Sequence, residues 1–140
     1  MQNRPLVHLL AVFLGGVLGS ALRLGLDLAI PHADQQFPVD TLLINTVGSF
    51  VLGWLTAGVF RRGMSSIVKA AVGPGLLGSF TTFSAVILAL VLLTVSGPDQ
   101  LILAVVYLVA TLSLGLGAAF LGLRLAERRD RGRRVEEPMR

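Results

Sequence analysis

Four long apolar runs decide what this chain can fold into. They cover residues 6–26, 41–60, 70–95 and 101–123, and each reaches the roughly 20 residues that a helix needs to cross a membrane. Arg23 is the only Asp, Glu, Lys or Arg residue within these four ranges. The pattern predicts an all-α integral membrane protein. A four-helix transmembrane domain would occupy residues 1–126, and a basic tail would occupy residues 127–140.

The third run contains residues that do not suit an uninterrupted helix. Gly73, Pro74, Gly75 and Gly78 follow one another closely. A helix break inside a membrane is tolerated only where the freed backbone is buried in protein or lines a water-filled cavity. Two aromatic rings and three hydroxyl groups come next, those of Phe80, Thr81, Thr82, Phe83 and Ser84. A third helix broken at mid-membrane beside such groups indicates an ion pathway.

Charge at the ends of the spans predicts the orientation. If the N-terminus is cytoplasmic, every Lys and Arg except Arg23 lies on the cytoplasmic side, and the opposite loops hold neither residue type. Because Lys and Arg near span ends stay inside, both termini are predicted to be cytoplasmic in a multi-pass protein of the plasma membrane. Basic residues at span ends suit membrane lipid, so no nucleic acid partner is predicted.

Polar side chains inside the spans each have two interpretations. Arg23 either reaches the membrane surface with Asp27 as its ion partner, or forms a positive collar at the mouth of an anion path. Asn45 either hydrogen-bonds to a neighbouring helix or donates its amide N–H to a partly dehydrated anion. Tyr107 and Thr111 share one face of the fourth helix, where a tyrosine is commonly part of the core.

The sequence offers no group of residues suited to catalysis. It contains no phosphate-binding loop, no HExxH motif, no paired carboxylates within a span and no cysteine. The chain is therefore not predicted to be an enzyme.

Three motifs occur in order on the first three spans. Residues 15–23 read GGVLGSALR, residues 41–50 read TLLINTVGSF and residues 75–84 read GLLGSFTTFS. They resemble the GGxxGAxxR, TLxxNxxGSF and GxxGxxTTFS motifs of the Fluc (CrcB) family of bacterial fluoride channels, with Ser20 in place of alanine. Three ordered motifs make the resemblance specific, and it extends over all four spans.

The resemblance implies an antiparallel dimer with two narrow fluoride pores. Phe80 and Phe83 would contribute to aromatic boxes beside the ion, because the edge of a phenyl ring is positive. Asn45 would donate a hydrogen bond to fluoride. A structural Na⁺ would bind at the centre through the backbone carbonyls of Gly75 and Gly78, since hard cations take oxygen ligands.

The family also has a polar track along the fourth span. Here the track consists of Tyr107 and Thr111, and it then departs from the family pattern, with Gly115 and Ala119 in place of hydroxyl residues. The expected ion-pathway residues are Arg23, Asn45, Phe80, Thr81, Thr82, Phe83, Ser84, Tyr107 and Thr111.

The implied function is passive export of fluoride, which lowers the toxicity of this ion in the cytoplasm. The one-sided charge predicts a single fixed orientation, so the expected partner is a homologous second chain inserted the opposite way, with a homodimer as the alternative. Two other functions remain open. A small proton-coupled multidrug exporter needs an intramembrane acid, which only Asp27 approaches, and a non-conducting accessory subunit needs only good packing surfaces.

Overall fold

The computed structural model describes residues 4–30 and 37–136, and every regular element in this part of the chain is helical. The elements in order are α1 (Arg4–Ala29), α2 (Val39–Ala57), a 3₁₀ turn (Phe60–Arg62), α3 (Ser66–Ala70), a π-helical segment (Ala71–Leu77), α4 (Gly78–Phe80), α5 (Phe83–Val95) and α6 (Pro98–Glu136). Residues 31–36 and the last four residues of the tail, 137–140, lie outside the described ranges.

Four stretches are long and apolar enough to cross a membrane, Pro5–Ala29, Val39–Ala57, Ser66–Val95 and Pro98–Arg129. They confirm the prediction of an all-α protein with four spanning segments. The fourth segment begins at Pro98, whose fixed φ and missing N–H suit the first turn of a helix. It does not end with the apolar run, because α6 continues as one helix into the basic tail as far as Glu136.

The helices pack most extensively in two pairs, α2 with α6 and α1 with the π-helical segment. Glycines bring the backbones of α2 and α6 into contact. A Cβ atom built on Gly53 would collide with the carbonyl oxygen of Ala119, and one on Gly122 would collide with that of Phe50. Small residues at such crossings let helices approach closely in a membrane, where no hydrophobic effect drives them together.

Two glycines of α1 hold the third span in the same way. A Cβ atom on Gly15 would collide with the carbonyl oxygen of Ala71, and one on Gly19 with that of Leu76. Both obstacles are backbone atoms, which cannot turn away as a flexible side chain can. Gly15 and Gly19 therefore fix the position of the π-helical segment against α1.

We expect Gly19→Ala to lower the free energy of unfolding by about 1–3 kcal/mol, the usual range for overpacking a tight contact. Gly25→Ala on the same helix is the matched control, because a Cβ atom at Gly25 meets nothing within 4 Å. Unfolding of the purified protein in detergent measures both variants. If Gly19→Ala and Gly25→Ala were equally stable, the close contact between α1 and the third span would be contradicted.

The glycine and proline residues of the third span do not themselves break the helix. Ala71–Leu77 widens into π-helical turns that contain Pro74, and the Gly78 N–H still bonds to the carbonyls of Gly73 and Gly75. A wider turn accommodates a proline ring and its missing N–H, and such bulges are frequent at functional sites. The helical backbone is interrupted farther along, at Thr81 and Thr82.

Candidate functional site

The interruption of the third span consists of two extended residues. Thr81 has φ −79° and ψ 150°, and Thr82 has φ −144° and ψ 123°. The helix resumes at Phe83. This geometry is consistent with the predicted broken third helix, although the interruption follows the glycine-rich segment and does not lie within it.

The side chain amide of Asn45 on α2 forms hydrogen bonds with both the N–H and the carbonyl group of the extended residue Thr82. Its Nδ2 donates to the carbonyl oxygen of Thr82 at 2.8 Å, and its Oδ1 accepts from the N–H of Thr82 at 2.8 Å. An extended residue has no helical partner for these groups, and a membrane interior supplies none. The side chain amide therefore replaces the missing helical hydrogen bonds and leaves one amide N–H of Asn45 for another acceptor.

Gly48, one turn after Asn45, makes the space for this interruption. A Cβ atom on Gly48 would collide with Cγ2 of Thr81 and would lie 3.2 Å from Cδ1 of Phe80. Sequence reasoning did not assign Gly48 to the site. Its three-residue spacing from Asn45 was the available indication, since residues three apart share a face of a helix.

The hydroxyl groups of the interruption bond locally. Thr81 Oγ1 donates to the carbonyl oxygen of Leu77 at 2.9 Å. Thr82 Oγ1 accepts from the N–H of Ala85 at 3.2 Å, so Thr82 is the N-cap of α5, and it lies 3.0 Å from Oγ of Ser84. These bonds end one helix and begin the next on either side of the extended residues.

Phe80 and Phe83, the two predicted aromatic residues of the ion pathway, lie on opposite sides of the interruption. Phe80 ends α4, is half-buried and lies against Gly48. Phe83 begins α5 and is 68% exposed. Residues three apart share a face only in a continuous helix. The structure therefore brings Phe80 to the interior of the chain and leaves the ring of Phe83 on its surface.

Tyr107 and Thr111, the predicted polar track of α6, are buried within the chain. Tyr107 is fully buried in a cluster with Val86, Leu93 and Ala104. Its ring meets that of Phe37 edge-to-face, with centroids 5.4 Å apart. Its hydroxyl has no hydrogen-bond partner in the described part of the chain. The predicted shared face is present, because Thr111 one turn later is buried too.

Arg23 lies in α1 and is half-buried. Its Nε is enclosed and makes no hydrogen bond to any residue that the structure describes. A guanidinium group inside a spanning segment usually faces protein or water. Within the described part of the chain, the Nε–H of Arg23 is therefore a donor without an acceptor.

The carbonyl groups of the predicted sodium site differ in their hydrogen bonding. The Gly75 oxygen accepts from the Gly78 N–H, and Gly75 is buried within the chain. The usual helical donor to the Gly78 oxygen, the Thr82 N–H, bonds to Asn45 instead. Gly78 is exposed on the surface of the chain. Neutral oxygen donors of this kind fit a hard cation such as Na⁺.

Comparison with known proteins identifies the family. The family model described as CrcB-like protein, Camphor Resistance (CrcB), matches residues 10–123. A "Fluoride-specific ion channel FluC" of Oceanobacillus iheyensis is 39% identical over 120 residues, which cover 85% of this chain and 91% of the relative. A "Fluoride-specific ion channel FluC 2" of Geobacillus kaustophilus is 40% identical over 120 residues, covering 84% and 92%.

A third relative, "Fluoride-specific ion channel FluC" of Rhizobium meliloti, is 38% identical over 120 residues, covering 84% of this chain and 94% of the relative. All three names denote ion channels, in agreement with the prediction that the chain is not an enzyme. With its four spanning helices, the chain is a multi-pass membrane protein and belongs to the CrcB family.

Proposed function

We propose that this chain is a subunit of a fluoride-specific channel that exports fluoride passively through the plasma membrane and so lowers cytoplasmic toxicity. The extended residues Thr81 and Thr82, bound by Asn45, carry the proposal, because they place polar groups within an apolar spanning segment. Hydrogen fluoride enters as a neutral acid and ionises inside. A negative interior then drives the anion outward by about 2.3 kcal/mol per 100 mV.

The proposed ion pathway follows the surface of the interruption. Phe83 directs its positive ring edge to fluoride, the second N–H of Asn45 donates to it, and Thr81, Thr82 and Ser84 supply the surrounding hydroxyls. Phe80 contributes from the inner side. Arg23 attracts the anion at the mouth of the path, and Tyr107 and Thr111 form the polar track of α6.

The pathway is completed by a second chain. Phe83, Ser84 and Gly78 are exposed beside the interruption. Hydroxyl groups and an irregular backbone are not stable against lipid. An antiparallel dimer covers this surface with protein and creates two equivalent pathways. The carbonyl oxygens of Gly75 and Gly78 would hold a structural Na⁺ at the centre of this dimer, and its positive charge would stabilise the interface.

Sodium is proposed as a structural ion and not as a transported one. We expect fluoride efflux from liposomes to fall when Na⁺ is replaced on both sides by N-methyl-D-glucamine, because the organic cation is too bulky for a site made of carbonyl groups. A Na⁺ gradient alone should move no fluoride. Fluoride accumulation driven by that gradient would show coupled transport and would refute this role.

The partner is proposed to be a homologous chain of opposite orientation. The chain has no cysteine, so Ser96→Cys and Arg140→Cys each give a single reactive thiol, the first in the loop before the last span and the second in the basic tail after it. We expect membrane-impermeant maleimide to label the first only from outside and the second only from inside. Labelling of both sites from both sides would show dual insertion and would favour a homodimer.

Fluoride efflux from proteoliposomes tests the proposed function directly. We expect valinomycin and a K⁺ gradient to release fluoride from vesicles containing the protein, alone or with a homologous partner chain, and to release little chloride. Proton-driven transport of a cationic drug without fluoride efflux would favour the small multidrug exporter. Neither fluoride efflux nor drug transport in either assembly would favour an accessory subunit.

A further inference from the structure

The outward face of α6 changes from apolar to basic near the end of the fourth spanning segment. Phe120, Leu121, Arg124, Leu125 and Arg128, here called the outer stripe, follow the spacing of one helical face. All five side chains are exposed. The opposite face of α6 packs on α2, where Ala126 is 2% exposed and its Cβ lies near Gly58.

Arg124 is held in place by an aromatic ring of this stripe. Its guanidinium carbon lies 4.6 Å from the centroid of the Phe120 ring. Stacking uses the flat face of the guanidinium group and leaves its N–H donors at the edge. Arg128 follows one turn later, so two guanidinium groups project from the stripe where its apolar part ends.

We propose that the outer stripe binds an anionic phospholipid. The acyl chains lie along Phe120, Leu121 and Leu125, and the phosphate accepts hydrogen bonds from Arg124 and Arg128. Charge complementarity selects this occupant, because guanidinium groups bind phosphate through paired N–H donors and apolar side chains suit acyl chains. The site is separate from the proposed fluoride pathway and does not depend on fluoride conduction.

Quenching of tryptophan fluorescence by brominated lipids measures this binding. Trp54 is the single tryptophan of the chain, so Trp54→Phe combined with Leu121→Trp places the only reporter on the outer stripe. The full-length protein is reconstituted in phosphatidylcholine containing brominated phosphatidylglycerol or brominated phosphatidylcholine. We expect the anionic lipid to quench more strongly, and excess inorganic phosphate not to displace it, because phosphate lacks acyl chains.

Three arginine variants in this reporter background distinguish binding at a specific site from nonspecific attraction of anionic lipid to the basic residues. Arg124→Gln and Arg128→Gln should each lower the relative binding constant for phosphatidylglycerol about fivefold, as expected for one arginine at an anionic surface. Arg61→Gln removes the same charge from an exposed position in the 3₁₀ turn, outside α6, and should change it less than twofold.

Phe120→Leu retains the charge and the apolar contact but removes the stacking, so we expect a smaller loss than in Arg124→Gln. Circular dichroism and size-exclusion chromatography verify that each variant is folded. Equal quenching by the two lipids, equal losses in all three arginine variants, or displacement by inorganic phosphate would overturn the proposal.

Discussion

Phe83→Ile is expected to reduce fluoride efflux at least tenfold, the equivalent of about 1.4 kcal/mol in the free energy of the ion in the pathway. Isoleucine retains an apolar side chain but lacks the positive edge of a phenyl ring. Because Phe83 is 68% exposed, its substitution leaves the packing within the chain largely unchanged. Fluoride efflux from proteoliposomes, normalised to the amount of assembled protein, gives the measurement.

Phe80→Ile is the comparison for this variant. Phe80 is half-buried against Gly48, so its ring is less accessible to an ion, and we expect a smaller loss of flux than for Phe83→Ile. Wild-type efflux in Phe83→Ile would show that the ring has only a packing role. A larger loss of flux in Phe80→Ile than in Phe83→Ile would show that Phe80, on the inner side of the interruption, makes the main aromatic contact with fluoride.

Asn45→Leu is expected to have the largest effect on stability. It leaves both backbone groups of Thr82 without their partner, and each unsatisfied buried group costs about 1–3 kcal/mol. The loss of the hydrogen bonds that hold the interruption should also abolish fluoride efflux. Unfolding in detergent and efflux from liposomes measure the two effects separately.

Thr46→Val provides the matched control on the same helix. Among the described residues, the hydroxyl of Thr46 bonds to the Leu42 carbonyl one turn earlier on the same helix, so its removal breaks no described hydrogen bond between helices. We expect nearly wild-type stability and efflux. If Asn45→Leu were as stable as Thr46→Val, the hydrogen bonds between Asn45 and Thr82 would not be what holds the extended residues.

The four spans were predictable because each depends on a local property, a run of apolar residues of sufficient length. The shared face of Tyr107 and Thr111 was predictable for a similar reason, since α6 is continuous and helical spacing applies along it. The helical continuation of α6 through the basic tail could not be predicted in this way, because composition alone does not distinguish a solvated helix from a solvated coil.

The exact place of the interruption depends on contacts between distant residues. Glycine and proline at 73–78 predicted a break there, but the π-helical turns accommodate Pro74 without one. Thr81 and Thr82 are extended instead, where Asn45 supplies the hydrogen bonds and Gly48 supplies the space. Asn45 and Thr82 are 37 residues apart, so no local pattern in the third span indicates their pairing.

The same interruption sets the positions of Phe80 and Phe83. The extended residues Thr81 and Thr82 lie between them, so the two rings do not share one helical face. The roles of both residues toward fluoride, and the binding of Na⁺ by Gly75 and Gly78, remain predictions that the proposed flux measurements test.

The reversal potential of the purified protein in a planar bilayer tests most directly whether it is a passive fluoride channel. With a tenfold fluoride gradient and equal chloride and proton concentrations, a fluoride-selective channel predicts a reversal potential of about 59 mV. A proton gradient imposed alone should then produce no potential. A reversal potential that follows the proton or the chloride gradient would contradict passive, fluoride-selective conduction.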